Sequence, residues 1–514
     1  MYKVKEINID AGEHTVILNE RDAKDLGVRS LDRVRVFTKE RTVTAIVETS
    51  KEMIAEGEAG LLCATYDAVC PNGEKEVDIL PADRPESVDI IKKKLEGQTL
   101  TPAEIRTLVK DMVNHNLSDI ELTAYVVANQ VKPMNLDEIT ELTKAMVETG
   151  DTIEFDKRPI FDFHSIGGAP GNKITMLVVP IVAAAGLHIP KTCSRAISSA
   201  GGTADIFEVL CNVNQPKEKI KSITETIGGV IVWGGSVNMA PADDIIIRVE
   251  YPLSIDPYSQ VIASVMAKKK AVGADYFLLD IPTGPNTKVP DMKLARSYAH
   301  DFIEVGRRLG MKVECAITYG GQPIGTHIGP AAEAKEALMV LEGKADRNST
   351  SVLEKACAMA GLILEMGGAA HGNGKQMAKE SVASGTSLAK LREIIAAQGG
   401  NPDVKSEDVS MGKFKLDIVS RKDGYVTAIN NKYVTKIVRA AGAPKDKGAG
   451  MILEKKRGHK VEHGEVLFTV FSDNQRKLDM AKAVARRFDP MTVEGIVLEH
   501  IPGNSRVVEI LNSE

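Results

Sequence analysis

Two glycine-containing segments carry the residue types best suited to binding an anion. Residues 162–175 read Asp-Phe-His-Ser-Ile-Gly-Gly-Ala-Pro-Gly-Asn-Lys-Ile-Thr, between a short apolar run and a helical pattern. From Ser194 onward, a second loop reads Ser-Arg-Ala-Ile-Ser-Ser-Ala-Gly-Gly-Thr. A strand, a glycine loop and a helix expose backbone N–H groups at the positive end of a helix dipole, where phosphate binds. An ordinary tight turn would explain either loop alone, but together they predict a phosphate site.

Two common phosphate-binding motifs do not fit the first loop. A Walker loop has glycine directly before its lysine, whereas Asn172 precedes Lys173. A dinucleotide-binding fingerprint has glycines at i, i+2 and i+5, a spacing that Gly167, Gly168 and Gly171 do not supply. The first loop therefore predicts an anion site of another kind.

A third cluster adds a carboxyl group and further polar side chains. Asp256 lies in the run Ser-Ile-Asp-Pro-Tyr, Ser264 and Lys268 follow it closely, and Lys288 comes after the next strand-like run. Because Pro257 disfavours a helical conformation at the residue before it, Asp256 is expected at a helix start. There its carboxyl group could serve as a helix cap or as a proton donor, and both readings stay open.

Alternating strands and helices from about residue 159 onward must position these loops. Strand-like runs occur at residues 160–163, 230–233, 276–281 and 313–318, with a helical stretch at 293–309. This alternation predicts a largely parallel sheet covered by helices. Ligands of such sheets bind beyond the carboxyl ends of the strands, where the first glycine loop would lie.

We expect a multidomain α/β protein with a cleft. Capping boxes beginning at Thr101, Ser118 and Asn135 predict a helical bundle, which residues near Gln260 rejoin. The predicted domains are a β-rich N-terminal barrel (1–84), a helical domain (85–156 plus 237–272), an α/β phosphate-binding domain (157–236 plus 273–419) and an α+β C-terminal domain (420–514).

Composition excludes several functional classes. The 65 basic and 70 acidic residues are mixed along the chain and give a net charge of −5, so no nucleic-acid footprint is expected. The six cysteines form no CxxC pair, which argues against a structural zinc site and a disulfide framework. No signal peptide or membrane span is apparent, so a cytoplasmic protein without a membrane partner is expected.

In order and spacing, these clusters resemble those of the thymidine and pyrimidine-nucleoside phosphorylases. The resemblance covers most of residues 85–503, and its motifs are Asp162-x-His164-Ser165-x-Gly167-Gly168, Arg195, Gly201-Gly202-Thr203, and Asp256 to Ser264 with Lys268. The β-rich N-terminal segment and the run Pro-Lys-Thr-x-Ser-Arg-Ala-Ile from Pro190 are similar to the AMP phosphorylase branch. The resemblance implies a helical domain facing an α/β domain across the cleft, with a small domain at either end.

Three positions depart from the thymidine phosphorylase pattern. Phe163 stands where that family has a phosphate-binding lysine, and Cys193 where it has a phosphate-binding serine. Val249 replaces an arginine that contacts the pyrimidine, although Arg248 is adjacent. These differences favour a remodelled base and phosphate pocket over simple thymidine phosphorolysis.

The resemblance implies that phosphate cleaves AMP, with CMP and UMP as further candidates, into free base and ribose 1,5-bisphosphate. Asp256 would donate a proton to the leaving base. Substrate contacts are expected from Gly168, Ser194, Arg195, Ala196, Ile197, Ser198, Ser199, Thr203, Ser264 and Lys288. His164, Ser165, Gly202 and Lys268 would bind phosphate or shape the loops. Phosphate would be a co-substrate, with no metal or organic cofactor, and a homodimer or larger homo-oligomer is expected.

The sequence is also compatible with three other functions. A pyrimidine-nucleoside phosphorylase would accept unphosphorylated uridine or thymidine. An enzyme like anthranilate phosphoribosyltransferase would use phosphoribosyl pyrophosphate and magnesium, but no acidic metal-binding pair lies near the glycine loop. A non-catalytic nucleotide-binding assembly protein would release no base at all.

Overall fold

The computed structural model describes residues 1–196 and 199–500, and their contacts divide the chain into two units. Unit 1 comprises Met1–Thr152 and Asn238–Ala271. Unit 2 comprises Ile153–Val237 and Val272–Glu514. No helix in the described ranges is both long and apolar enough to cross a membrane.

Unit 1 begins with a closed sheet whose strand order is β1-β5-β2-β4-β3-β6. Alternation of apolar and polar residues builds these strands: Val34 and Val36 are fully buried, whereas Arg35 between them is exposed. The elements are β1 (Tyr2–Ile7), β2 (Thr15–Asn19), α1 (Glu20–Asp25), β3 (Arg33–Phe37), β4 (Thr42–Ser50), β5 (Glu58–Leu62), α2 (Cys63–Val69) and β6 (Glu76–Pro81).

Helices continue unit 1, and the predicted capping boxes are present. Glu104, Glu121 and Glu138 accept the backbone N–H of their cap residues at 2.7, 2.9 and 2.9 Å, which satisfies donors that a helix start leaves unpaired. The helices are α3 (Ser87–Leu95), α4 (Pro102–Val113), α5 (Asp119–Val131) and α6 (Leu136–Glu148).

The chain then enters unit 2 through a parallel sheet. Its first elements are β7 (Phe161–Ser165), α7 (Thr175–Ala184), β8 (Ile189–Cys193), α8 (Thr203–Phe207), α9 (Lys217–Ile227) and β9 (Gly229–Trp233). Nearly every residue of α7 is buried, on all faces of the helix, because α7 packs inside the core of this domain. A short 3-10 turn, Gly234–Ser236, ends the segment.

Unit 1 resumes with α10 (Pro241–Leu253) and α11 (Tyr258–Ala271), after which the chain returns to unit 2. The next elements are β10 (Tyr276–Thr283), α12 (Met292–Arg308), β11 (Lys312–Tyr319), β12 (His327–Ile328), α13 (Pro330–Leu341), α14 (Thr350–Met366), α15 (Gly374–Ala383) and α16 (Thr386–Ala397).

The strands β11, β10 and β7 pair in parallel, as do β8 and β9. A parallel bridge between Ile160 and His188 joins the two groups, so that β7 and β8 are neighbours. Their carboxyl ends therefore lie at one edge of the sheet, and both glycine loops leave from that edge.

The C-terminal part of unit 2 is an α+β segment. It comprises β13 (Phe414–Val419), β14 (Gly424–Ile429), α17 (Asn431–Ala440), β15 (Gly450–Leu453), β16 (Lys460–Val461), β17 (Val466–Ser472), α18 (Gln475–Arg487) and β18 (Met491–Glu494). One antiparallel sheet has the order β12-β15-β17-β13, and a second has the order β16-β14-β18. Since β12 belongs to the preceding domain, the first sheet ties this segment to the α/β region.

Candidate active site

The first glycine loop has the predicted strand, loop and helix order. Gly167, Gly168 and Gly171 have φ angles of 94°, 91° and 75°, a region that other residues rarely adopt. Ser165 at the end of β7 accepts a hydrogen bond from Asn172 Nδ2 at 2.9 Å. This bond is consistent with the loop-stiffening role predicted for Ser165. His164, the preceding residue of β7, is half-buried.

Gly168 lies against the segment that carries Lys288. A Cβ atom at Gly168 would be 2.5 Å from the Lys288 backbone nitrogen and 3.0 Å from Thr287 Cα. The fold thus brings two predicted substrate-binding residues together, with the Lys288 side chain exposed. The need for glycine at this position comes from the chain's own packing, so Gly168→Ala would disturb the loop before it disturbed any ligand.

Lys173, next to this loop, is a structural residue. Its ammonium group is fully buried, is paired with Glu336, and donates to the carbonyl oxygens of Ile324 and His327 at 3.2 and 2.8 Å. Burial acts to raise the pKa of Glu336, but Lys173 and His327 outweigh it and hold that pKa well below its usual value. The ion pair therefore anchors the glycine loop to α13, and the two carbonyl bonds anchor it to the segment that leads into β12.

A second buried ion pair links the two neighbouring strands. Asp162 on β7 and Lys191 on β8 lie 3.5 Å apart, and both side chains are almost completely buried. Lys191 also donates to the Thr192 carbonyl oxygen at 2.9 Å. Because each residue lies on the strand that leads into its loop, this pair fixes the relative position of the two strands from which the loops leave.

Asp205 shapes the second glycine loop. Its Oδ2 accepts the backbone N–H groups of Ala196 and Gly202 at 2.7 and 3.1 Å. A Cβ atom at Gly202 would lie 2.5 Å from the Ser194 carbonyl oxygen, so this glycine is also required by internal packing. Sequence reasoning missed Asp205, although its position three residues after Gly202 matches the spacing of a capping box. The predicted contacts Ile197 and Ser198 lie outside the described residues.

The remaining predicted residues of this loop differ in their surroundings. The Ser199 hydroxyl is exposed and donates to the Gly201 carbonyl oxygen at 3.2 Å. Thr203 begins α8 and is half-buried. Both hydroxyl groups lie beyond the carboxyl end of β8, at the sheet edge where a phosphate is expected.

Arg195 is held by partners within the protein. Its guanidinium group makes a bidentate pair with Glu208 at 2.7 and 2.5 Å and lies 5.0 Å from the centre of the Trp233 ring. Lys447 contacts Glu208 at 2.8 Å. Hydrogen bonds from Arg195, reinforced by Lys447, lower the pKa of Glu208 to about 2.

This pairing predicts a pH-dependent contribution to stability. Because the pKa of Glu208 is lower in the folded chain than its ordinary value of 4.5, the stabilisation is complete above that value and is lost as pH falls toward about 2. The urea midpoint of Glu208→Gln should therefore lie below that of the wild type above pH 5, and the two should converge on acidification. Fluorescence of Trp233, the sole tryptophan, reports the transition. A gap that did not change with pH would contradict this assignment.

A buried polar cluster lies at the same sheet edge, and the sequence did not reveal it. Asp280 on β10 accepts from the Thr318 hydroxyl at 2.6 Å, and its other oxygen is 2.8 Å from Lys355 Nζ. Its carbonyl oxygen accepts the Ile166 N–H at 3.0 Å, next to the first glycine loop. Burial lowers the pKa of Lys355, and Asp280 partly offsets that effect. Through the bond from Ile166, this cluster holds the start of the first glycine loop against β10.

The other predicted residues belong to unit 1. Asp256 is exposed and lies two residues before α11, as expected for a helix start. Ser264 is half-buried on α11, and Lys268 pairs with Asp243 at 2.5 Å. Burial disfavours the charge on Lys268, but Asp243, Asp244 and Glu250 outweigh it and raise the pKa.

The residues that depart from the thymidine phosphorylase pattern are buried in the protein or bond to other protein groups. Phe163 and Val249 are 1% and 5% exposed and belong to the protein interior. Arg248 pairs with Asp119 at 2.5 Å within unit 1. Cys193 donates to the Val232 carbonyl oxygen at 3.1 Å.

Among residues 1–196 and 199–500, no group of three His, Cys, Asp or Glu side chains is arranged to hold a metal ion.

Protein-family models match three consecutive regions. The helical bundle domain of a glycosyl transferase family matches residues 88–150, and the α/β domain of that family matches residues 157–388. The C-terminal domain of pyrimidine nucleoside phosphorylase matches residues 425–488. These matches confirm the predicted order of a helical domain, an α/β domain and a C-terminal domain along the chain.

Curated relatives match over nearly the whole chain. An AMP phosphorylase of Methanosarcina barkeri is 50% identical over 502 residues, which cover 98% of both chains. AMP phosphorylase 1 of Archaeoglobus fulgidus is 51% identical, with 97% of this chain and 98% of that protein covered. The AMP phosphorylase of Thermococcus kodakarensis is 48% identical, with 97% and 99% covered.

One solved structure shows the same fold. Anthranilate phosphoribosyltransferase from Thermus thermophilus superimposes with a TM-score of 0.51 at 20% sequence identity, over 60% of this chain and 99% of that one. At this identity the similarity concerns the fold alone.

Proposed function

The chain belongs to the AMP phosphorylase family, and on that premise we propose that it catalyses the phosphorolysis of AMP to adenine and ribose 1,5-bisphosphate. The observation that carries the proposal is about 50% identity to AMP phosphorylases over 98% of the chain. The two glycine loops at one sheet edge add a physical reason, since the reaction needs places for phosphate groups.

The proposed reaction is a displacement at the ribose anomeric carbon. A phosphate oxygen forms a bond to this carbon as the bond to the base nitrogen breaks, and the bonding electrons go to the base. Positive charge develops on the ribose and negative charge on the base, so a proton donor at the base lowers the barrier. In this proposal, Asp256 donates that proton to the leaving adenine.

Phosphate binding is assigned to groups beyond the carboxyl ends of β7 and β8. The Ala196 and Gly202 N–H groups already bond to Asp205, and the Arg195 guanidinium already bonds to Glu208. Hydroxyl groups of Ser199 and Thr203 and the remaining backbone donors are therefore better placed to hold phosphate. Lys288, beside Gly168, supplies a positive charge at the same edge.

A comparison of substrates tests the proposal. Base release is followed from AMP, CMP, UMP, adenosine and uridine, each with and without inorganic phosphate. We expect rapid release from AMP that depends on phosphate, and much slower release from adenosine. Equal rates for adenosine and AMP would refute a nucleotide phosphorylase, and faster release from uridine than from AMP would favour a pyrimidine-nucleoside phosphorylase.

A further inference from the structure

Gln260, in the first turn of α11, has a buried amide group without a hydrogen-bond partner among residues 1–196 and 199–500. The residue is 3% exposed. Neither its Oε1 nor its Nε2 bonds to any residue in the two described ranges. Burying a donor and an acceptor in this state costs free energy, so such a group needs an explanation.

Two other buried polar side chains show what a satisfied group looks like in this protein. Gln398 is 1% exposed, accepts the Ile231 N–H at 3.0 Å, and donates to the carbonyl oxygens of Asn212 and Ile231 at 3.0 and 2.8 Å. Ser259, the residue before Gln260, accepts the Met134 N–H at 3.2 Å. A buried glutamine in this protein can therefore bond through both its oxygen and its nitrogen, as Gln398 does, whereas Gln260 does not.

The usual structural role for glutamine at this position is unavailable. Gln260 is the third residue of α11, as Glu104 is of α4, and side chains there can accept the N–H of the residue before the helix. In α11 that residue is Pro257, which has no N–H. The capping bond made by the glutamates of α4, α5 and α6 cannot form here.

The position of Gln260 connects it with the proposed reaction. It lies one helical turn before Ser264, and residues four apart are neighbours on a helix face. Asp256, the proposed proton donor, is four residues earlier. We propose that the amide of Gln260 binds the hydrogen-bonding edge of the leaving base; this inference rests on the proposed phosphorolysis of AMP.

An amide group suits this role for several bases. Adenine and cytosine each present an amino donor beside a ring-nitrogen acceptor, which match the oxygen and the NH₂ group of the amide. Uracil presents the reverse order, a carbonyl oxygen beside a ring N–H. The amide matches uracil when it rotates by about 180° and exchanges the positions of its oxygen and its NH₂ group. Gln260 would thus bind AMP, CMP and UMP with one side chain.

The test compares AMP with purine riboside 5′-monophosphate, which lacks the amino group of adenine. In wild-type protein, AMP should be favoured in kcat/KM and in affinity measured by calorimetry. Gln260→Leu should lower kcat/KM for AMP by roughly 10- to 100-fold. The preference for AMP over the analogue should then shrink toward one. A preference that persists unchanged in Gln260→Leu would overturn the proposal.

Stability measurements separate this role from a structural one. Because its amide has no partner in the part of the chain that the structure describes, Gln260→Leu should leave the unfolding temperature unchanged or raise it. Gln398→Leu, the matched control, should lower the unfolding temperature without changing the preference for AMP. Destabilisation of Gln260→Leu as large as that of Gln398→Leu would mean that the amide is structural, and would overturn the proposal.

Failure of the proposed function is distinguishable from failure of this inference. If wild-type protein releases no base from AMP, the proposed function fails, while calorimetry still compares binding of AMP and the analogue. Loss of discrimination in the binding of Gln260→Leu would then still support base recognition, and unchanged discrimination would refute it.

Discussion

Asp256→Asn should slow adenine release from AMP by about 10²–10⁴-fold while the affinity for AMP changes only a few-fold. A general acid acts chiefly in the transition state, when electrons reach the base, so its loss lowers kcat more than it weakens binding. Single-turnover base release measures the first quantity and equilibrium calorimetry the second. Asparagine has the same shape as aspartate and also caps helix starts, so the change should cost little stability.

Two controls make this test specific. An N7-methylated purine nucleotide carries a positive charge and leaves as a neutral base, so Asp256→Asn should affect its cleavage far less. Asp137→Asn changes another exposed aspartate of unit 1 and should leave adenine release at the wild-type rate. Unchanged turnover of AMP in Asp256→Asn would return Asp256 to the role of a helix cap.

Lys173→Met should destabilise unit 2 by about 3–5 kcal/mol, because it leaves the buried carboxylate of Glu336 without its cation. Glu336 would keep its bonds from the His327 N–H at 3.1 Å and the Ser349 hydroxyl at 2.7 Å, but these do not neutralise its charge. Urea unfolding followed by fluorescence of Trp233, which lies in unit 2, measures the loss.

Lys375→Met provides the matched control. Lys375 pairs with Glu354 at 2.7 Å, but both side chains are exposed to solvent, at 53% and 41%. Exposed ion pairs contribute about 0–1 kcal/mol, so the urea midpoint should hardly move. If Lys173→Met were as mild as Lys375→Met, the buried pair would not anchor the glycine loop.

Local patterns predicted the elements that position the site. The strand, glycine loop and helix at residues 161–184 and the capping boxes of α4, α5 and α6 depend on residues close in sequence. Spacing and residue type therefore suffice to predict them. The same reasoning placed Asp256 at the start of α11, because proline restricts the residue before it.

Contacts between distant residues could not be predicted in this way. The partner of Lys173 is 163 positions away, and Lys447 approaches Asp205 across 242 positions. A sequence pattern shows that a lysine exists but not whether a carboxylate or a ligand will neutralise it. For the same reason, the sequence indicated Gly168 and Gly202 as candidate ligand contacts but did not show that protein backbone fills the space beside them.

Identification of the sugar product by ³¹P NMR tests the proposed phosphorolysis of AMP. AMP and inorganic phosphate are incubated with the protein, and adenine is quantified in the same sample. We predict one ribose 1,5-bisphosphate, with two phosphorus signals, for each adenine released and each phosphate consumed. Ribose 5-phosphate as the product, with no phosphate consumed, would show that the protein hydrolyses AMP and would refute phosphorolysis.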